Sequence, residues 1–285
     1  MKVAECTQVD EFLRRALAED LGERGDVTSE AVFSEAERAD ARIAAKQDGI
    51  LSGLTLIAPL FALLDPQIDV QLLAADGDRV TAGIRVAALS GPIRGILAGE
   101  RTVLNLLQRL SGIATLTRRM ADEIAGTGAR LLDTRKTTPT LRALEKKAVV
   151  DGGGCNHRFG LFDMVLIKDT HVKAAGGVGA AIRRVRDSLG SSSGLRVEAE
   201  VQSVASFEEA LDERPDRIML DNMSLDDMRA CVARARDNGA AVELEASGNV
   251  SLETVRGIAE TGVDFISAGC LTHSAPALDI HLVIE

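Results

Sequence analysis

The 285-residue sequence has no tryptophan and no tyrosine, and only seven phenylalanines. Base-stacking platforms for single-stranded nucleic acid are built from aromatic rings, so there is little material for one. Excess positive charge is missing as well: 33 Lys and Arg stand against 43 Asp and Glu, a formal net charge of −10. Phosphate-backbone binding needs a basic face, so no nucleic-acid partner is expected. No apolar run is long enough to span a bilayer, and residues 1–12 lack the apolar stretch of a secretory signal. No membrane association is expected, and a soluble cytoplasmic protein is the default.

Cysteine is scarce. Cys6, Cys155, Cys231 and Cys270 form no Cys-x-x-Cys pair and have no histidine at zinc-ligand spacing. They read as small, mostly buried thiols of a reducing compartment, and nothing near Cys155 calls for a nucleophilic thiol. His-Glu-x-x-His is absent, which removes the usual anchor for zinc-protease chemistry. Asp151-Gly152-Gly153-Gly154 lacks the Gly-Lys-Ser/Thr ending of a P-loop and reads as a support for Asn156, His157 and Arg158.

What is present is enough apolar material, 46% of residues, for one large core or two smaller ones. The first hundred residues read as a mixed α+β unit. Phe12, Leu13, Ala16 and Leu17 share one helical face, Ile68, Val70 and Leu72 alternate as a half-buried strand, and Asp76-Gly77-Asp78 signals a turn before further strand at 80–89. A long helix is expected over about 99–124, with Gly112 interrupting it at the passage between domains.

From about residue 129 short apolar runs alternate with amphipathic segments. Strands are expected at 130–133, 164–167, 195–200, 217–220, 241–245 and 264–267, with helical patterns such as 206–213 and 251–261 between them. Repeated β-then-α units imply a parallel sheet, open or closed into a barrel. Chemistry-bearing residues follow nearly every strand: Thr134-Arg135-Lys136, Lys168-Asp169, Glu200, Asp221, Ser247-Gly248 and Ala268-Gly269. In α/β barrels that edge builds the active site, which favours the barrel; an open sheet would also collect ligands there.

Three groups meet at this edge. Arg135, Lys136, Arg158 and Lys168, with His157 beside them, can hold several anionic groups, unless some pair with Glu200 and Asp221. Arg142, Lys146 and Lys147 belong to the same basic stretch and read as a solvated helix face. Glu200 and Asp221 can accept from sugar hydroxyls, hold Mg2+ or stabilise a developing cation. Ser247-Gly248-Asn249 and Ala268-Gly269 can bring backbone N–H groups close to a phosphate.

These stretches also carry a resemblance. Glu100-Arg101-Thr102 with LNLLQRLSGIAT, then DTRKTTP, GGGCNHRFGL, LIKDTH, LDNMS, LEASGNVSLE and TGVDFISAGCLTHSAPALDIHL are similar, in order and spacing, to the signatures of the quinolinate phosphoribosyltransferase family. The N-terminal EDLGERGDVTSE and GILSGL fit too, so the resemblance covers essentially the whole chain. It implies an N-terminal open α/β sandwich domain (1–112, joined by the tail 275–285), then an incomplete (β/α) barrel (113–274). It implies transfer of phosphoribosyl from phosphoribosyl pyrophosphate to quinolinate with decarboxylation, in homodimers with shared active sites. On this chain it places Arg135, His157, Arg158 and Lys168 around quinolinate, with Arg101 from the neighbouring subunit. Thr134 flanks that pocket, Lys136 and Lys168 face the pyrophosphate, and Lys136, Lys168, Glu200 and Asp221 carry the chemistry. Glu200 and Asp221 address the ribose and Mg2+, while Ser247, Gly248, Asn249, Ala268 and Gly269 take the 5′-phosphate. The family often has Asn where Thr170 stands and Gly where Asn249 stands. A same-fold relative with another acceptor, such as the one associated with molybdate transport, or a nicotinate-specific enzyme, is the alternative. A non-catalytic regulator should have lost Lys136, Glu200 or Asp221, and all three remain.

Overall fold

The computed structural model describes residues 3–190, 193–237, 239 and 241–285, with side chains from residue 9 onward. The Cys6 thiol therefore lies outside the described residues. The chain divides into two compact units, Met1–Thr115 with Ala275–Glu285, and Leu116–Ser274. In chain order the first runs α1 (Val3–Leu21), α2 (Val27–Val32), β1 (Arg38–Ala45), β2 (Gly49–Ile50), α3 (Ile57–Leu64), β3 (Asp69–Leu72), β4 (Arg79–Val80) and β5 (Arg85–Pro92). The division falls within α4 (Ile93–Glu123). The second unit holds β6 (Arg130–Leu132), α5 (Arg142–Asp151), β7 (Val165–Ile167), α6 (Asp169–Ala175), α7 (Val178–Leu189) and β8 (Val197–Val201). It continues with α8 (Val204–Asp212), β9 (Arg217–Asp221), α9 (Leu225–Asp237), β10 (Glu243–Ser247), α10 (Val255–Ala259), β11 (Phe265–Ser267) and α11 (Cys270–His273). Last comes β12 (Ile280–Ile284), which belongs to the first unit.

The first unit is built on a four-stranded antiparallel sheet, ordered β12-β1-β5-β3. One face buries Ile43, Ala45 and Leu89. The apolar α3 contributes Ile57, Leu60 and Phe61, and α1 contributes Leu13 and Leu17, so the helical face read from the N-terminal sequence is a core face. β3 is an edge strand; Ile68 just before it is buried, but Leu72 at its end is 41% exposed.

Two glycines in α4 correct the expectation for the long helix. It begins at Ile93, and it does not break at Gly112. A methyl group at Gly99 would press on Phe61, Leu60 and Leu64, and one at Gly112 would strike the Pro276 carbonyl and the Ala277 backbone. Both glycines are close-approach points in a continuous helix, where the missing side chain matters more than flexibility.

The second unit is a six-stranded parallel sheet in the order β6-β11-β10-β9-β8-β7. Strands β7 to β11 are laid down in sequence, yet the last of them pairs with β6, as Ser267↔Leu132 shows. That is the cyclic order of a barrel with one closure, β6 to β7, left open: an incomplete (β/α) barrel. On the other side of β6, Cys155 forms an isolated parallel bridge with Leu132, its N–H donating to Leu131 O at 2.8 Å. The glycine-rich stretch before it thus delivers His157 and Arg158 to the strand ends. Of the described cysteines, Cys231 is buried, while Cys155 and Cys270 are partly exposed, so the expectation of mostly buried thiols holds only for the first.

Candidate functional site

Side chains on a strand alternate between faces, so in a barrel every second residue points inward. Leu166 with Lys168, Met219 with Asp221, and Glu198 with Glu200 are such pairs, the second of each pair nearer the carboxyl edge. At that edge a pocket of about 220 Å³ opens. Thr134, Arg135 and Lys136 line it after β6, with His157 and Arg158 from the following loop. Lys168, Glu200, Asp221 and Ser247 complete the rim, while Leu166, Met219 and Ser267 are the lining residues the sequence reading did not single out. Each of these three lies inside a strand, where a residue reads as core.

The pocket's cations are not equivalent. Lys168 Nζ sits 3.0 Å from Glu200 Oε2, so one expected pairing between cation and acid does form. Arg158 donates from Nη1 to Met164 O at 3.1 Å; burial first, and then the Arg135 charge, hold its guanidinium below the ordinary value. The buried Nε of Arg135 has no hydrogen-bond partner among the described residues. Two like charges side by side, one of them with an unpartnered buried nitrogen, give this corner the chemistry to receive an anion.

Among the acids, Asp221 accepts from Gln202 Nε2 at 3.1 Å and from Asn222 Nδ2 at 2.9 Å. Asn222 Oδ1 in turn accepts from Asn249 Nδ2 at 3.2 Å, and both asparagines sit at positive φ. Gly248 and Asn249 therefore form a turn locked onto the end of β9. Gly269 adjoins Lys136: a methyl group there would lie 3.0 Å from its Cδ. The Ala268 N–H already donates to Leu132 O at 3.0 Å, so it serves the sheet rather than a ligand. Arg101 lies on α4 in the first unit and is exposed.

Two readings of the basic stretch are corrected. Lys146 is 2% exposed and its Nζ pairs with the fully buried Asp133 while donating to His157 O at 2.9 Å. Asp133 Oδ1 also accepts the His157 N–H at 2.9 Å. Arg142 donates to Thr137 Oγ1, Phe159 O and Arg135 O, pinning the loops that carry Arg135 and Arg158. Only Lys147, exposed and paired with Asp151, fits the solvated face expected for all three.

Below the pocket lies a buried ionisable layer. Glu198 and Glu245 are each 0% exposed, and Arg217 Nη1 reaches Glu245 Oε2 at 2.8 Å. Burial pushes the Glu198 carboxyl up to about 7 against the opposing charge of Arg217. Burial, reinforced by the Glu198 charge, likewise pushes Glu245 up to about 7. Burial lowers the His157 imidazole, favouring its neutral form.

Comparison with known proteins fits this arrangement. Residues 26–111 match the model for the quinolinate phosphoribosyl transferase N-terminal domain, and residues 113–283 that for its C-terminal domain. The chain belongs to the quinolinate phosphoribosyltransferase family. A relative named quinolinate phosphoribosyltransferase [decarboxylating] 2b, mitochondrial, from Nicotiana tabacum is 46% identical, covering 96% of this chain and 82% of its own. One named probable nicotinate-nucleotide pyrophosphorylase [carboxylating] from Synechocystis is 43% identical, covering 97% and 92%. The crystal structure of NadC from Streptococcus pyogenes superposes with a TM-score of 0.91 at 38% identity, covering 98% of each chain. Among the described residues, no helix is long and apolar enough to cross a membrane.

In this family member the residues missed by sequence reading are those two positions upstream of a rim residue. Glu198 precedes Glu200, and Glu245 precedes Ser247. The signal was available: a charged residue inside a short apolar strand, in phase with a site residue, shares its inward face.

Proposed function

We propose that the chain transfers the phosphoribosyl group of phosphoribosyl pyrophosphate to quinolinate with decarboxylation, giving nicotinate mononucleotide, pyrophosphate and CO2, a step of NAD biosynthesis. The observation that carries it is the corner formed by Arg135 and Arg158, whose crowded guanidiniums suit a planar dicarboxylate. His157 walls that corner, and Lys136 and Lys168 stand where the pyrophosphate side would lie. The pyridine nitrogen attacks C1′ as the C1′–oxygen bond to pyrophosphate breaks, and Glu200 or Asp221 stabilises positive charge on the ribose. The pyridinium then accepts the electron pair of the C2–carboxylate bond; CO2 leaves and C2 takes a proton. The residues orient the partners and complement charge. Magnesium arriving with the donor fits the hard oxygen ligands Asp221 and Glu200, bound directly or through water, and would neutralise departing pyrophosphate charge. Asp221 suits this because its recorded side-chain donors are neutral amides.

We also infer a homodimer in which Arg101 is supplied to the partner's pocket, and a cytoplasmic location, which the free thiols Cys155, Cys231 and Cys270 support. The test is incubation with phosphoribosyl pyrophosphate, Mg2+ and either quinolinate or nicotinate, following nucleotide and CO2 together. With nicotinate one cation set is left without its carboxylate, costing roughly 3–5 kcal/mol, so kcat/KM should fall at least about a hundredfold. Comparable values for the two acceptors would overturn the assignment.

A further inference from the structure

The ring of His157 is held by a hydrogen bond at Nδ1 and faced by two carboxylates at Nε2. Its Nδ1 accepts the Arg158 N–H at 2.6 Å. Its Nε2 lies 3.1 Å from Glu198 Oε2 and 3.5 Å from Glu245 Oε2, with the ring almost wholly buried. A nitrogen that accepts a hydrogen bond keeps its lone pair, so the proton of the neutral imidazole sits on Nε2, the edge beside the two glutamates, where the contact is close but not aligned as a hydrogen bond. This decides between two uses of the cluster. A metal ion held by His157, Glu198 and Glu245 would need the lone pair at Nε2, and Arg217 already brings a positive charge to Glu245. The arrangement suits an anchor for the ring better than a metal centre.

We propose that Glu198 and Glu245 are positioning residues for the acceptor: by closing on the Nε2 edge of His157 they fix the pocket wall and, through the Nδ1 contact, the backbone from which Arg158 projects. The inference rests on the phosphoribosyl transfer proposed above. Neither glutamate lines the pocket, so neither acts on substrate directly. Burying two facing carboxylates is costly, and an apolar filling would serve a purely structural layer better. Asp133 and Lys146 hold the His157 backbone on the other side, so ring and main chain are both secured. A wall that slips by a fraction of an ångström misaligns the acceptor nitrogen with C1′.

Glu198→Ala should raise the KM for quinolinate about tenfold and leave that for phosphoribosyl pyrophosphate within about twofold, a coupling of ordinary size for neighbouring residues. Glu198→Gln, which keeps the shape and an oxygen against Nε2, should recover most of the loss. In a His157→Ala background the same Glu198→Ala change should add less than about a further twofold. Equal changes in both KM values, or full additivity with His157→Ala, would overturn the proposal. Should Glu198→Ala fail to fold, Glu198→Leu, which fills the space without an acceptor oxygen, carries the same comparison. Nitrogen-15 shifts of the His157 ring in the wild-type protein should show the Nε2–H tautomer; the Nδ1–H form overturns the anchor even in an active enzyme. Wild-type protein without turnover refutes the reaction assignment instead, and the positioning role with it, whichever tautomer is found.

Discussion

Lys146 and Asp133 share a site from which water is excluded, and both partners feel it. Burial pushes the Asp133 carboxyl up and the Lys146 ammonium down, each opposed by the partner's charge. Removing one member strands the other. Lys146→Met should therefore lower unfolding stability by about 3–5 kcal/mol, measured by denaturant titration, because Asp133 is left buried and uncompensated. Adding Asp133→Asn should return part of that loss, since the amide oxygen can still accept the His157 N–H. A loss under about 1 kcal/mol for Lys146→Met would mean the pair is solvated after all. At this scale the sequence spoke clearly about the rim and poorly about its supports. Arg135 and Lys168 follow strands, Glu200 and Asp221 stand at strand ends, and all four announce themselves. Lys146 does not, because a lysine three residues after an alanine in a charged helix looks the same whether the face meets water or a buried aspartate. Only the packing of α5 against the end of β6 tells them apart.

The barrel strands were legible as elements because each is a short apolar run ended by a polar residue. In β10 the expected stretch 241–245 is shifted to Glu243–Ser247: the alternation of Glu243, Glu245 and Ser247 belongs wholly inside the strand. β1 was not foreseen. Its sequence, RADARIAA, is rich in alanine and has a single β-branched side chain, Ile43, and antiparallel pairing with β5 and β12 makes it a strand. Helix α4 offers the sharpest test at this scale. Glycine to alanine within a helix ordinarily adds about 0.8–1 kcal/mol of stability. At Gly112 the new methyl group meets main-chain atoms of residues 276 and 277, which cannot rotate aside. Gly112→Ala should instead destabilise by about 1–3 kcal/mol in chemical denaturation. A stabilised variant would show that the close approach is not required.

For the whole molecule the question is which chain completes each pocket. Arg101 and Arg135 lie in different units of the chain, and the proposed dimer assigns Arg101 to the partner's site. Arg101→Ala and Arg135→Ala should each be nearly inactive alone. Under subunit exchange, each mixed dimer would hold one site with both arginines and one with neither. About half the dimers would be mixed, so activity should climb to roughly a quarter of wild type, as two-fold symmetry requires. Demonstrated exchange without recovery would assign Arg101 to its own chain's pocket.

The pairing of β1 with β12 has a consequence for how the protein is made. Ala41 faces Ile284 across the sheet, with the entire second unit encoded between them. As the polypeptide leaves the ribosome, β1, β5 and β3 can meet early, but their neighbour arrives only after Leu116–Ser274 has been synthesised. Until then β1 offers an unpaired edge to other nascent chains, the kind of exposure that favours aggregation. The barrel is in the same position, because β11, which joins β10 to β6, lies shortly before β12; both units are completed by the last stretch of chain to be made.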